Sequence, residues 1–186
     1  MNRLFLILLL ALLYAPPAFA LEVADVSLDD TVTLDGSALS LNGAGVRKKL
    51  FISVYIGALY VEQKSGSADE ILAQTGPSRI LMHFLYKKLS ADKLVDAWNE
   101  GFEGNLGEAQ LGALGERIAQ FNALFPDVVK GDVITLDYLP GQGTRMSVND
   151  DAKGVVEGED FHRALLRLWL GDKPATQSLK KAMLGG

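Results

Sequence analysis

The chain has 186 residues, 48% of them hydrophobic and 22% charged, with no cysteine and only two histidines, His83 and His162. This excludes a disulfide framework, a Cys-ligated metal site and a thiol nucleophile, speaks against disorder, and leaves a His-based metal site or catalytic triad few candidates. Eighteen Lys and Arg against 23 Asp and Glu, a net charge of −5, disfavour a nucleic-acid binder, and the length suits one domain with a sizeable core.

The first twenty residues, MNRLFLILLLALLYAPPAFA, read as a secretory leader. Arg3 is a short positive region, Leu4–Tyr14 a continuous apolar run, Pro16-Pro17 a helix break, and Ala18-Phe19-Ala20 a small-residue cleavage site. The apolar run falls short of the roughly 20 residues that a spanning helix needs. Cleavage after Ala20 removes Arg3 and no acidic residue, so the charge becomes −6 over residues 21–186. The product is expected to be an acidic domain, exported to the periplasm or secreted, without a stable membrane span and stabilised by its core alone.

Thr31–Asn42 predicts a hairpin, two alternating runs about Asp35-Gly36. Gly43-Ala44-Gly45 follows, then Val46-Arg47-Lys48-Lys49. Leu50–Glu62 is the most β-like segment, rich in β-branched and aromatic residues. One face carries Leu50, Ile52, Val54, Ile56, Ala58 and Tyr60; the other carries Phe51, Ser53, Tyr55, Gly57, Leu59 and Val61. Both are largely apolar, which predicts a central strand covered on both sides. The small or hydroxylated stretch Ser53, Tyr55, Gly57 is the expected place for a cavity.

Ser67-Ala-Asp-Glu70 is a capping box opening a short helix to about Gln74. Gly76-Pro77 ends it, and Arg79–Tyr86 reads as a strand. Ser90 caps a helix with Leu94, Val95, Trp98 and Phe102 at helical spacing. A second helix spans about Glu108–Leu124, and the two form an αα unit on one sheet face. Strands follow at Val133–Tyr138, Thr144–Asn149 and near Gly154–Glu157. Asp160 is the expected cap of a helix Phe161–Leu170, and Thr176 or Ser178 of a last helix through Leu184. Strands and helices without regular βαβ alternation predict an α+β fold with a mostly antiparallel sheet.

Chemistry-bearing motifs are sparse. Gly43-Ala-Gly45 lacks the third glycine of a dinucleotide loop, and a strand follows it. His83 and His162 form no HxH or HExxH pattern and read as core-edge or surface residues. Asp29-Asp30 and Asp150-Asp151 read as turn residues without calcium-loop spacing. Trp98, Phe102, Phe121, Phe125 and Trp169 suit a core and equally the floor of an apolar pocket. Arg47 is either a surface residue continuous with Lys48 and Lys49 or a guanidinium placed to hold a carboxylate bidentately.

The run NGAGVRKKLFISVYIGALYVE (residues 42–62) resembles the chalcone isomerase-like family, whose plant members carry a glycine-rich turn with an Arg before a long strand. LSADKLVDAWNEGF lies where that family has its ligand-covering helix. KGDVITLDYLPGQGTRMSVND looks like its strand pair, and GEDFHRALLRLWLGDKPATQSLKKAML like its terminal helices. The resemblance covers about Val32–Leu184 and is strongest to the exported bacterial branch. It implies an open-faced β-sandwich, a large antiparallel sheet under a layer of helices with a ligand cleft between them.

Plant isomerases cyclise a chalcone to a flavanone, using an Arg, a strand Thr, a Tyr and an Asn on the covering helix, and a late-helix Thr. Carried over by position, Arg47 matches the Arg and Tyr55 stands where the Thr does. The Tyr falls near Leu94, the Asn near Gly101 and the late Thr near Leu168. With one member retained, most of the transition-state stabilisation is gone, each donor being worth on the order of 3 kcal/mol. The fatty-acid-binding branch keeps an Arg and a strand Tyr on a carboxylate, and Arg47 and Tyr55 are similar to that pair.

The expected function is a non-catalytic holder of a small apolar carboxylate or phenolic ligand, without a cofactor or metal. Its expected contacts are Arg47, Tyr55, Ser53, Leu94 and Trp98. The alternatives are an isomerase or intramolecular lyase on a chalcone-like or unknown substrate, and an interaction protein whose cleft is filled by its own side chains.

Overall fold

The computed structural model describes residues 20–186; the leader read in residues 1–20 lies outside them except for Ala20. The elements in order are β1 (Ala20–Val23), β2 (Val26–Asp29), β3 (Thr31–Leu34), β4 (Ser37–Lys49), β5 (Ile52–Val61), α1 (Ala68–Ala73), β6 (Ser78–Phe84), β7 (Lys88–Leu89), α2 (Ala91–Asn105), α3 (Glu108–Asn122), β8 (Val128–Val129), β9 (Val133–Leu139), β10 (Gly143–Val148), β11 (Asp151–Val156), α4 (Glu159–Leu170) and α5 (Gln177–Met183). Seven strands form one antiparallel sheet in the order β11-β10-β9-β6-β5-β4-β3. The α+β expectation holds.

Period-2 patterning sorts the sheet's side chains into two cores. Tyr55, Leu59, Val61, Ile80, Met82, Phe84, Ile134, Leu136 and Met146 meet the helices. Ile56, Ala58 and Tyr60 point the other way, into a smaller core with Leu28, Leu34, Leu39 and Leu41. The β1–β2 hairpin supplies Leu28, Val23 and Val26 to that second core. The central, doubly covered position of β5 therefore agrees with the sequence, whereas the β1–β2 hairpin was not foreseen.

Among the helices α4 is the most enclosed, with eight of its twelve residues buried. It packs against β10, α1, α2 and α5. The α2–α3 pair is thus partly laid on α4 rather than on the sheet alone. The cap of α4 is Gly158, at φ 102°, not Asp160. Asp160 instead receives a bidentate pair of hydrogen bonds from Arg117 of α3, which keeps its carboxyl below the ordinary range. Ser67, Ser90 and Thr176 cap α1, α2 and α5 through their side chains.

Three departures concern the long hairpin that positions the site. Gly43-Ala44-Gly45, where the resemblance implies a glycine-rich turn and the hairpin is expected to end at Asn42, is strand: β4 runs on to Lys49. The glycines are needed because α5 lies directly on them; a Cβ on Gly45 would stand 2.5 Å from Ala182 Cβ. Asn42, at a bulge in β4, fastens this packing by donating to the Met183 and Ser65 carbonyls at 2.7 and 3.0 Å. The expected strand Leu50–Glu62 is also interrupted at its start. Leu50 and Phe51 form a two-residue turn between Lys49 and Ile52, with Leu50 at φ 55°. Finally, β5 carries a bulge at Val54, between Ser53 opposite Lys48 and Tyr55 opposite Arg47. The extra residue resets the alternation, so Val54 joins Tyr55 in the helix-side core.

Candidate functional site

A cavity of about 570 Å³ opens between the Leu50 end of β4 and β5, the helix α2, and the segment after α4. That size is ordinary for a small-molecule site. The strands contribute Arg47, Lys49, Ile52, Val54 and Tyr55; α2 contributes Lys93, Leu94, Ala97, Trp98 and Gly101; Leu168 ends the floor, and Lys173-Pro174-Ala175 close the side.

Arg47 and Tyr55 are register partners on adjacent antiparallel strands, which puts both side chains on one face. The guanidinium carbon lies 5.6 Å from the centroid of the Tyr55 ring, within cation–π reach. Arg47 is half-buried, and among the described residues it has no ion-pair partner. Tyr55 is 2% exposed. Its hydroxyl accepts from the Trp169 indole N–H at 3.0 Å, while its own proton finds no acceptor among the described residues. Burial raises the Tyr55 phenol above its ordinary value, outweighing the Arg47 charge and the Trp169 hydrogen bond, which lower it. The pair is therefore a cation beside a neutral donor, a combination suited to an anion's oxygens.

The remaining wall is mostly apolar. Trp98 stacks obliquely on Phe125 and Trp169, with centroids 5.4 and 5.8 Å apart. Its indole N–H is buried and has no hydrogen-bond partner among the described residues. Lys49, Lys93 and Lys173 join Arg47 around the cavity, with Asp96 and Glu100 the acidic members.

Four of the five residues expected at the site, Arg47, Tyr55, Leu94 and Trp98, line this cavity. Ser53 does not. The Val54 bulge places it opposite Lys48 and brings Ile52 and Val54 to the cavity instead. Nor does the cavity follow the face onward to Gly57, because Leu179 of α5 fills that space; a Cβ there would be 3.2 Å from Leu179 Cδ2. The sequence also gave no hint of the Lys173–Ala175 wall. Asn105 holds that segment to the end of α2, donating to the Lys173 carbonyl at 2.8 Å and accepting from the Lys173 N–H at 3.0 Å.

The two histidines lie elsewhere. His83 is a half-buried residue of β6. His162 is 5% exposed, stacked on Tyr138 with ring centroids 3.9 Å apart, its Nε2 3.2 Å from Ser78 Oγ. Burial, with a smaller contribution from Arg163, lowers its pKa to about 3. It is a neutral core residue.

Residues 20–185 match the chalcone isomerase-like family, and the chain belongs to it. A comparison with curated protein sequences finds no match. Among solved structures, the fold is similar to that of an Arabidopsis thaliana fatty-acid binding protein, with a TM-score of 0.60 at 19% identity. That likeness covers 83% of this chain and 95% of the plant one. The family match begins at β1, so the hairpin on the back of the sheet lies within it.

Proposed function

We propose that the cavity holds a small apolar carboxylate, with a fatty acid as the representative case. Arg47 and Tyr55 meet the carboxylate, and Val54, Leu94 and Trp98 flank the apolar chain. The observation that carries this reading is Arg47: a cation with no ion-pair partner among the described residues, at the wall of a mainly apolar cavity, beside a neutral hydroxyl with a proton to give. The similarity of the fold to a plant fatty-acid binding protein supports the ligand class.

Three cavity-lining positions support a holder over an isomerase. Leu94, Gly101 and Leu168 stand where the resemblance places the plant Tyr, Asn and Thr, and all three line this cavity without a side-chain donor. Gly101 and Leu168 are also fitted to each other, since a Cβ on Gly101 would fall 2.8 Å from Leu168 Cγ. An open cavity beside Arg47 speaks against a cleft filled by the protein's own side chains. Export to the periplasm or beyond, with cleavage after Ala20, is proposed from the leader sequence; the intact mass of the protein recovered outside the cytoplasm checks it.

Gently purified protein examined by native mass spectrometry, together with a thermal-shift series of saturated fatty acids, tests the binding proposal. Ligand at 100 times its Kd raises stability by about 2.7 kcal/mol, or roughly 2–4 °C for each of those kcal/mol in a chain of this size. No shift in the wild type, or an equal shift in Arg47→Ala, sinks it.

A further inference from the structure

The turn at the cavity mouth exposes what soluble proteins ordinarily hide. Leu50 is 87% exposed, Phe51 99% and Ile52 49%, and Tyr86 beside them is 40% exposed. These residues form one patch, because the Val54 carbonyl in the hairpin's bulge accepts from the Leu85 and Tyr86 N–H groups at 2.9 and 3.2 Å. Leu50, Ile52 and Tyr86 also line the cavity, so the patch is its rim. Nothing in the local backbone demands this composition. Leu50 sits at φ 55°, where a glycine or asparagine is the easier choice.

The surrounding charge runs against that of the whole protein. Lys48 and Lys49 flank the tip on one side and Lys87 follows Tyr86, all exposed. Lys93 and Lys173 lie on the cavity wall below. None of these five is in an ion pair among the described residues, although the chain is net acidic. Asp96 and Glu100 are the acidic members of the cavity wall, and Asp127 is occupied by Lys88 at 2.9 Å.

We propose that this hairpin tip docks the protein on an anionic lipid surface. Leu50, Phe51 and Ile52 enter the headgroup–acyl boundary, the lysines meet lipid phosphates, and the cavity mouth is held against the bilayer. Apolar side chains inside a basic collar are the composition of an interfacial anchor. Three residues on a convex tip fall well short of the roughly 800 Å² per partner of a standard protein interface, which disfavours a protein partner. For a cavity that takes an apolar carboxylate, such docking provides entry and exit without passage of the chain through water. The route of exchange rests on the binding proposal above; the docking itself does not.

Sedimentation with phosphatidylglycerol and with phosphatidylcholine vesicles tests it, using the full chain and Phe51→Ser, whose common N-terminus cancels in the comparison. Phe51 is not a cavity-lining residue, so fatty-acid affinity in vesicle-free solution is measured alongside and should be unchanged. The expected result is binding to the anionic vesicles that weakens about tenfold in Phe51→Ser. Phe51→Trp should add an emission component that shifts to the blue on anionic vesicles and is quenched by lipids brominated near the headgroup. Equal sedimentation of wild type and Phe51→Ser, or an unshifted and unquenched Trp at position 51, overturns the proposal. So does a dimer in vesicle-free solution that Phe51→Ser dissolves, which would make a second copy the occupant of the tip. Docking with no fatty-acid binding would refute the cavity's ligand and leave the membrane contact standing.

Discussion

Tyr55→Phe separates the observed task of one hydroxyl from the one proposed for it. Inside the core, the oxygen accepts from Trp169 Nε1 at 3.0 Å, and Trp169 is 1% exposed. Removing the oxygen leaves a buried indole N–H without a partner, at a cost of about 1–3 kcal/mol. At roughly 2–4 °C per kcal/mol for a chain of this length, Tm should fall by several degrees. Toward the cavity, the same group is the proposed donor to the carboxylate. A hydrogen bond to a charged group is worth about 1.5–3 kcal/mol, so fatty-acid affinity should weaken by about tenfold or more. A fatty alcohol of equal length should lose less, its hydroxyl being uncharged. The phenol's raised pKa keeps it protonated, so its contribution to binding should be level from about pH 7 to about pH 9. Thermal unfolding followed by circular dichroism, and displacement of a fluorescent fatty acid, measure the two effects. An unchanged Tm would refute the structural role of the Trp169 bond. A lowered Tm with unchanged affinity would remove Tyr55 from the carboxylate.

Other consequences follow from the packing. Gly45→Val should destabilise by about 1–3 kcal/mol, since even a Cβ there collides with Ala182, whereas Gly112→Ala, on the exposed face of α3 with open space around it, should stabilise by about 0.5–1 kcal/mol; urea midpoints of the two variants check the contrast. His162, neutral in the folded state with a pKa of about 3, costs no stability above about pH 6.5. Below that pH the unfolded chain takes up the proton first, so stability should fall, by at most about 1.4 kcal/mol per pH unit from this group, as pH drops toward about 3. Urea denaturation across that range should show a shallower slope in His162→Gln; an identical slope would mean that His162 does not carry the effect.

The sheet was legible because its strands obey period-2 patterning and its turns carry their own chemistry. Asp35-Gly36 sits with both residues at positive φ, as its dipeptide type requires. Caps at Ser67, Ser90 and Thr176 were legible for the same local reason. What escaped were features set by distant partners. Gly43 and Gly45 look like turn residues until α5, some 140 residues on, is seen lying on them. The Val54 bulge has no sequence signature, yet it alone moved Ser53 off the cavity wall. The Leu50–Phe51 turn was hidden because its apolar composition reads as strand. Family likeness and strand alternation together single out Arg47 and Tyr55, and their register across the hairpin sets them side by side on the cavity wall. The Lys173–Ala175 wall depends on Asn105, which no local pattern marks.

The most direct test of a carboxylate held by Arg47 is the selectivity between a fatty acid and the alcohol of the same chain length. Both fill the apolar cavity alike and differ at the headgroup. Titration calorimetry of the wild type should favour the acid by about tenfold or more, the worth of a hydrogen bond to a charged group. Arg47→Ala should bind the alcohol nearly as the wild type does while most of the preference for the acid is lost, the remainder being what Tyr55 contributes. A wild type that binds acid and alcohol equally, or an Arg47→Ala variant that keeps the full preference, would contradict the assignment of Arg47 to the carboxylate.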